Sequence, residues 1–172
     1  MATVPLPADP IAEAHRQWGA HGWGDVADGM AAVTSVMRAH QIMLSRVERV
    51  LKPHGLTFAR YEMLMLLLFT RSGALPMAKA SARLQVHPTS VTNVVDRLEA
   101  VGLVQRQAHP SDRRTTLVEI TDAGRELAMA TTAELNTVVF GQPGIDQEAV
   151  TSLVDVLTDL RRDAGDFVAP DS

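Results

Sequence analysis

A chain of 172 residues, 46% hydrophobic and 21% charged, is long enough to bury one sizeable core but short of two full domains, which excludes disorder of the whole. It has no cysteine, which removes disulfide frameworks, thiolate metal sites and thiol redox switches and agrees with a reducing cytosol. The formal net charge of −4 argues by itself against a polyanionic partner, yet residues 71–118 carry seven basic side chains against three acidic ones, a net +4 between acidic flanks.

Met1 to Pro10 lacks the basic and apolar stretches of an export signal, and the longest apolar run, Met63 to Phe69, falls far short of a bilayer span. The expectation is a cytoplasmic protein with no membrane partner. Residues 1–24 hold both tryptophans with three prolines and three glycines and read as an N-terminal extension, in which Ile11 to Trp18 forms a short helix after Asp9-Pro10. From residue 25, Val26, Met30, Val33, Met37, His40, Leu44, Val47 and Leu51 recur at alternating spacings of four and three, one seam along a long helix that Pro53-His54-Gly55 ends. A second helix follows with Thr57 as N-cap and an apolar run so continuous that most of its surface must be buried. Arg71-Ser72-Gly73 stops it.

Two short helices come next, Pro76 to Leu84 and Pro88 to Val101, each with proline in its first turn, at helix-turn-helix spacing. After Gly102 the pattern changes to two apolar-rich stretches, Leu103 to Ala108 and Thr115 to Ile120, joined by a turn-rich segment from His109 to Arg114; this reads as a β-hairpin. Thr121-Asp122 caps a helix running to about Phe140, residues 141–144 break it, and Asp146 opens a last helix with Ala149, Leu153, Val156, Leu157, Leu160 and Ala164 on its apolar face.

Within Pro88 to Val101, Val91, Val94, Val95, Leu98 and Val101 share one face, leaving Thr89, Ser90, Thr92, Asn93, Asp96 and Arg97 on the other. Asn can bond adenine bidentately, Ser and Thr can touch phosphates or a thymine methyl, and Arg97 suits a phosphate or a guanine edge. A polar helix face alone is most often merely solvated. The preceding helix, the following hairpin and the local positive charge turn the reading toward double-stranded DNA. At the hairpin tip, Arg113 and Arg114 suit a narrow minor groove, and Asp112 is expected to brace one of the two guanidinium groups.

Asp112-Arg113-Arg114, the run Ile120 to Gly124, Val91-Thr92 and the run Asp96 to Val104 together resemble the MarR family (multiple antibiotic resistance regulators) over about residues 25–167. The resemblance implies a mainly α fold of the α+β kind: a winged helix-turn-helix lobe over residues 54–120, a dimerisation helix over 25–53 and C-terminal dimerisation helices over 121–168. It also implies a homodimeric repressor on a palindromic operator, relieved by a small aromatic or anionic effector bound between the dimerisation helices and the DNA-binding lobe. Three departures stand out: Ala80-Ser81 in place of Leu-Ala, Gln85 in place of the turn glycine, and Ile120 in place of leucine. The extension is similar to that of a subset with a tryptophan-bearing extra helix and urate-like ligands; there Trp18 stands for the tryptophan and Glu62 for its acidic partner, while Asn93 occupies the place of a ligand-binding arginine.

The seam of the first long helix and the face of the last cannot both be covered in one small subunit, so a partner copy is the simplest cover. Candidate effector contacts are Trp18, His40, Arg60, Tyr61 and Glu62, with Arg16 beside them; for each, a packed or surface role is the commoner one. Neither a P-loop, a dinucleotide motif, a nucleophile elbow nor a His-Glu-x-x-His pattern is present, so no enzyme and no cofactor is expected. The alternatives are a metal-responsive regulator, built from histidines that are scattered singly, and a helix-turn-helix used for protein contacts.

Overall fold

The computed structural model describes residues 6–84, 88–112 and 114–168. It is mostly helical with one small antiparallel sheet, and the chain divides into two compact units, residues 1–58 and 59–172.

In the first unit, Asp9 caps α1 (Pro10–Ala20) by accepting the Ile11 N–H at 2.9 Å, and Pro10 takes the first helical position, where a missing N–H goes unnoticed. Gly22, at φ 82°, turns the chain back toward α2 (Ala27–Leu51). α1 lies against α2, and His15 Nε2 meets a carboxylate oxygen of Asp28 at 2.7 Å. Gly55, at φ 70°, closes the end of α2: the Leu56 N–H returns to the Leu51 carbonyl and the Gly55 N–H to that of Lys52. The apolar seam is unevenly covered. Val47 and Leu51 are buried and Met30 and Leu44 half-buried, while Val33 and Met37 are mostly exposed and His40 is exposed. Val26, expected to start the seam, instead sits exposed in a 3₁₀ turn ahead of the helix.

In the second unit, α3 (Phe58–Leu68) begins directly after Thr57 and buries Tyr61, Met63, Leu64 and Leu67. Then come β1 (Ala74–Pro76), α4 (Met77–Leu84), α5 (Pro88–Glu99), β2 (Val104–Ala108), β3 (Thr116–Ile120), α6 (Asp122–Leu135) and α7 (Gln147–Asp163). The strands lie in the order β1-β3-β2, all antiparallel, with Pro76 opposite Leu117 and Val104 opposite Ile120. β1 corrects the sequence reading, in which Pro76 opens a helix. Proline lacks a donor, and both a first helical turn and an edge strand tolerate that; pairing with β3 decides for the strand.

Thr121 caps α6 through the Gly124 N–H at 3.0 Å, and Asp146 caps α7 through the Ala149 N–H at 2.8 Å. α6 ends at Leu135 and widens into a π-helical turn, Asn136–Phe140, where the Gly141 N–H reaches back to the Asn136 carbonyl. On α7, Leu153, Val156 and Leu160 are exposed and no side chain is buried.

Candidate nucleic-acid interface

α5 carries a sharply divided surface. Val91, Val95 and Leu98 are at most 1% exposed, and Thr89, Ser90, Thr92, Asn93, Asp96 and Arg97 are all exposed. The helix is thus anchored by one side and presents the other. Val101, placed with the buried set in the sequence reading, is 67% exposed. α5 has already ended by then: Gly102, at φ 74°, makes a Schellman stop in which the Leu103 N–H bonds the Leu98 carbonyl and the Gly102 N–H that of Glu99. Gln85 and its neighbours in the turn before α5 lie outside the described residues.

A network absent from the sequence reading ties α5 to the wing. The Arg106 N–H on β2 donates to Glu99 Oε1 at 2.8 Å, and its guanidinium reaches both the Glu99 and Asp96 carboxylates. Burial opposes the charged form of Arg106, yet the hydrogen bonds and charges of Asp96 and Glu99 outweigh it and raise its pKa above the ordinary value. Arg106 is therefore a strut between helix and strand. The acidic pair one turn apart, followed by an arginine in the middle of the next strand, was the available signal.

The wing itself is the β2–β3 hairpin, closed by the His109 N–H on the Thr115 carbonyl at 3.1 Å and the Thr115 N–H on the Asp112 carbonyl at 3.0 Å. Asp112 Oδ1 accepts the Arg114 backbone N–H at 3.0 Å, and Oδ2 accepts the Thr115 hydroxyl at 2.7 Å. Among the described residues, then, Asp112 braces the backbone of the turn. An aspartate in a tight turn meets the N–H two residues on before any longer side chain can reach it. The Thr115 hydroxyl, then the Arg114 N–H, hold the Asp112 carboxyl below the usual range. Arg114 is exposed at the tip. Arg113 lies outside the described residues.

The junction behind the interface is close-packed. The Thr121 hydroxyl donates to the Gly102 carbonyl at 2.7 Å while accepting from Gly124, and the Thr121 N–H bonds the Leu103 carbonyl at 3.1 Å. A Cβ on Gly124 would stand 2.0 Å from that same Leu103 oxygen. The glycine of the run Ile120 to Gly124 is required by this approach.

The expected effector contacts are distributed over both units. In the first, Trp18 is half-buried with its ring edge on Trp23, centroids 5.5 Å apart, and His40 is exposed. In the second, Arg60 is half-buried, the Tyr61 hydroxyl shares a 2.9 Å hydrogen bond with Thr132, and Glu62 is half-buried with its pKa raised by desolvation. Among the described residues no group of three or more His, Asp or Glu side chains is placed to hold a metal ion, and no helix is long and apolar enough to cross a membrane.

The family model for the MarR family matches residues 57–116. Among solved structures, Sco5413 of Streptomyces coelicolor, described as a MarR family transcriptional regulator, is 51% identical, with a TM-score of 0.75 over 83% of this chain and 99% of that one. Sco3205 of the same organism, solved in complex with DNA, shares the fold at 23% identity and a TM-score of 0.68, over 78% and 86% of the two chains. CouR of Rhodococcus jostii, solved with p-coumaroyl-CoA, is 27% identical with a TM-score of 0.64, over 78% and 92%. The chain spans about half the length, 51%, of the first curated relative it matches, an HTH-type regulator of Bacillus subtilis, at 35% identity over 81 residues that make up 47% of this chain.

Proposed function

Since the chain belongs to the MarR family, a family of transcriptional regulators rather than enzymes, we propose that it binds double-stranded DNA as a homodimer and represses transcription from a palindromic operator. The observation that carries this reading is the exposed polar face of α5, with Asn93 and Arg97 set on a rigid apolar spine and braced to the wing through Arg106. α5 reads base edges in the major groove, and Arg113 and Arg114 serve the neighbouring minor groove or its phosphates.

The homodimer rests on apolar surface that the chain leaves uncovered: Val33, Val36 and Met37 on α2, and Leu153, Val156 and Leu160 on α7. Burying such side chains contributes roughly 1.5 to 3 kcal/mol each, enough for an obligate pair. A two-fold axis then sets the two α5 helices about 34 Å apart, one turn of the duplex. Release by a small aromatic or anionic effector is supported by CouR, whose solved ligand is both. The protein acts in the cytoplasm in this reading.

Light scattering tests the dimer, and selection of bound fragments from the host genome, followed by anisotropy across a salt series, tests operator binding. A well-folded monomer, or a dimer with no preference for selected over random duplex, contradicts the proposal.

A further inference from the structure

The second unit holds an open groove of about 700 Å³ that none of the expected effector contacts lines. Its floor is apolar, made by Pro76 of β1 and Leu117 of β3, which face each other across the strand pair, with the backbone of the buried Leu75 beside them. Its lining carries three nitrogen donors: Arg71 from the loop after α3, Lys79 from the first turn of α4, and His109 at the turn end of the wing. The volume falls in the range of small-molecule sites, roughly 300 to 1,000 Å³.

His109 is set as a donor. The Ser111 backbone N–H, which can only donate, lies 3.3 Å from His109 Nδ1, so Nδ1 accepts and the neutral ring carries its hydrogen on Nε2. The nearest acid on the same strand face is Glu119, two residues along β3 from Leu117. Its carboxylate is held by the side-chain amides of Gln105 and Gln107 and keeps its charge, so Arg71 and Lys79 against Glu119 leave the groove a net positive charge of one.

From this arrangement we infer that the groove between β1, α4 and the turn end of the wing is a binding site for a small amphiphilic carboxylate, its apolar body on Pro76 and Leu117 and its carboxylate among Arg71, Lys79 and His109. A bare phosphate would use the cations and leave the apolar floor idle. An occupant would link α4 to the outer half of the wing and so set the wing's angle. That consequence rests on the DNA-binding reading above; the site itself does not.

The test uses the full chain without DNA, so its failure is separable from failure of the operator reading. Benzoate, benzyl alcohol and inorganic phosphate are titrated in turn while the Leu117 methyl signals, the Pro76 ring signals and the His109 ring signals are followed by NMR. Benzoate is expected to move all three together and saturably. Benzyl alcohol, and benzoate with the Arg71→Gln/Lys79→Gln double variant, are expected to bind about tenfold more weakly or worse, since charge-assisted hydrogen bonds no longer form. Both substitutions are at exposed positions, and far-UV circular dichroism confirms that the variant is folded. Absence of saturable shifts with benzoate overturns the inference, as does equal affinity in the double variant. So does a phosphate titration that moves His109 as readily as benzoate does, which would mark a phosphate-backbone contact instead.

Discussion

Replacing Gly124 with alanine adds one methyl group and should cost the protein several degrees of thermal stability. The new Cβ would stand 2.0 Å from the Leu103 carbonyl oxygen and 3.0 Å from both the Leu103 carbonyl carbon and Ile120 Cγ1. The obstructing atom is backbone, and it is also the acceptor for the Thr121 N–H at 3.1 Å, so it cannot swing aside as a side chain would. Overpacking of this kind costs about 1 to 3 kcal/mol. Displacing the carbonyl also weakens a hydrogen bond worth about 0.5 to 1.5 kcal/mol. Alanine's helix preference over glycine returns about 1 kcal/mol at most. At the middle of each range the net loss is about 2 kcal/mol, or roughly 4 to 8 °C in Tm for a chain of this size. Differential scanning calorimetry at fixed protein concentration measures it, because the proposed dimerisation would make Tm concentration-dependent. Gly19→Ala is the control: it makes the same change in α1, where no atom lies within 4 Å of the added carbon, and should match wild type or gain up to about 1 kcal/mol from alanine's helix preference. Equal melting of the Gly124 variant and wild type would refute the packing argument.

Asn93→Ala should cost about 1 to 3 kcal/mol at one operator position and relax specificity there, with little change on random duplex; anisotropy against a set of singly substituted operators reads this directly. Arg114→Ala should weaken binding to any duplex and reduce the slope of log K against log salt by about one for each phosphate no longer neutralised. Because burial raises the pKa of Glu62, its ionised form opposes folding: that stability is intact below the ordinary glutamate range and is lost as pH rises through the raised value. Glu62→Gln should therefore raise Tm at neutral pH and leave it unchanged near about pH 4, in parallel melts at the two pH values. Asp112 has the opposite sign. Its lowered pKa keeps the turn braced above the ordinary aspartate range and releases it only as pH falls through the lower folded value, which the Arg114 amide signal should report by NMR.

Most of the helical architecture was legible because it depends on local rules: Asp9, Thr121 and Asp146 each sit where a side-chain cap belongs, and the α5 spacing separates Val91, Val95 and Leu98 from the polar set. The sequence reading departs from the structure where something other than the local periodicity decides. Pro76 satisfies the local conditions for a helix start and for an edge strand alike, and only β3, some forty residues on, selects between them. Val101 continues the helical periodicity of Leu98, but the left-handed Gly102 ends the helix first. Asp112 holds the Arg114 backbone N–H, a contact that composition does not distinguish from one to a guanidinium, and the Arg113 side chain it was also expected to reach lies outside the described residues. The close approach at Gly124 shows in the sequence only as a glycine within a family motif; its cause is a carbonyl 21 residues earlier.

Net charge is the feature the structure revises most. The excess of +4 over residues 71–118 counts Arg106 among the groups available to DNA, yet Arg106 is held by Asp96 and Glu99 and the three together carry −1. Setting that triad aside leaves Arg71, Lys79, Arg83, Arg97, Arg113 and Arg114 opposed only by Asp112, whose carboxylate is already engaged inside the wing turn. The acids that dilute the composition are thus occupied in holding helix and wing in register. A chain with an overall charge of −4 can in this way present a duplex with a local excess of +4, and the restraint that fixes the α5–β2 angle also sets Arg106 against Asp96 and Glu99, where its charge offsets part of their repulsion of the phosphates.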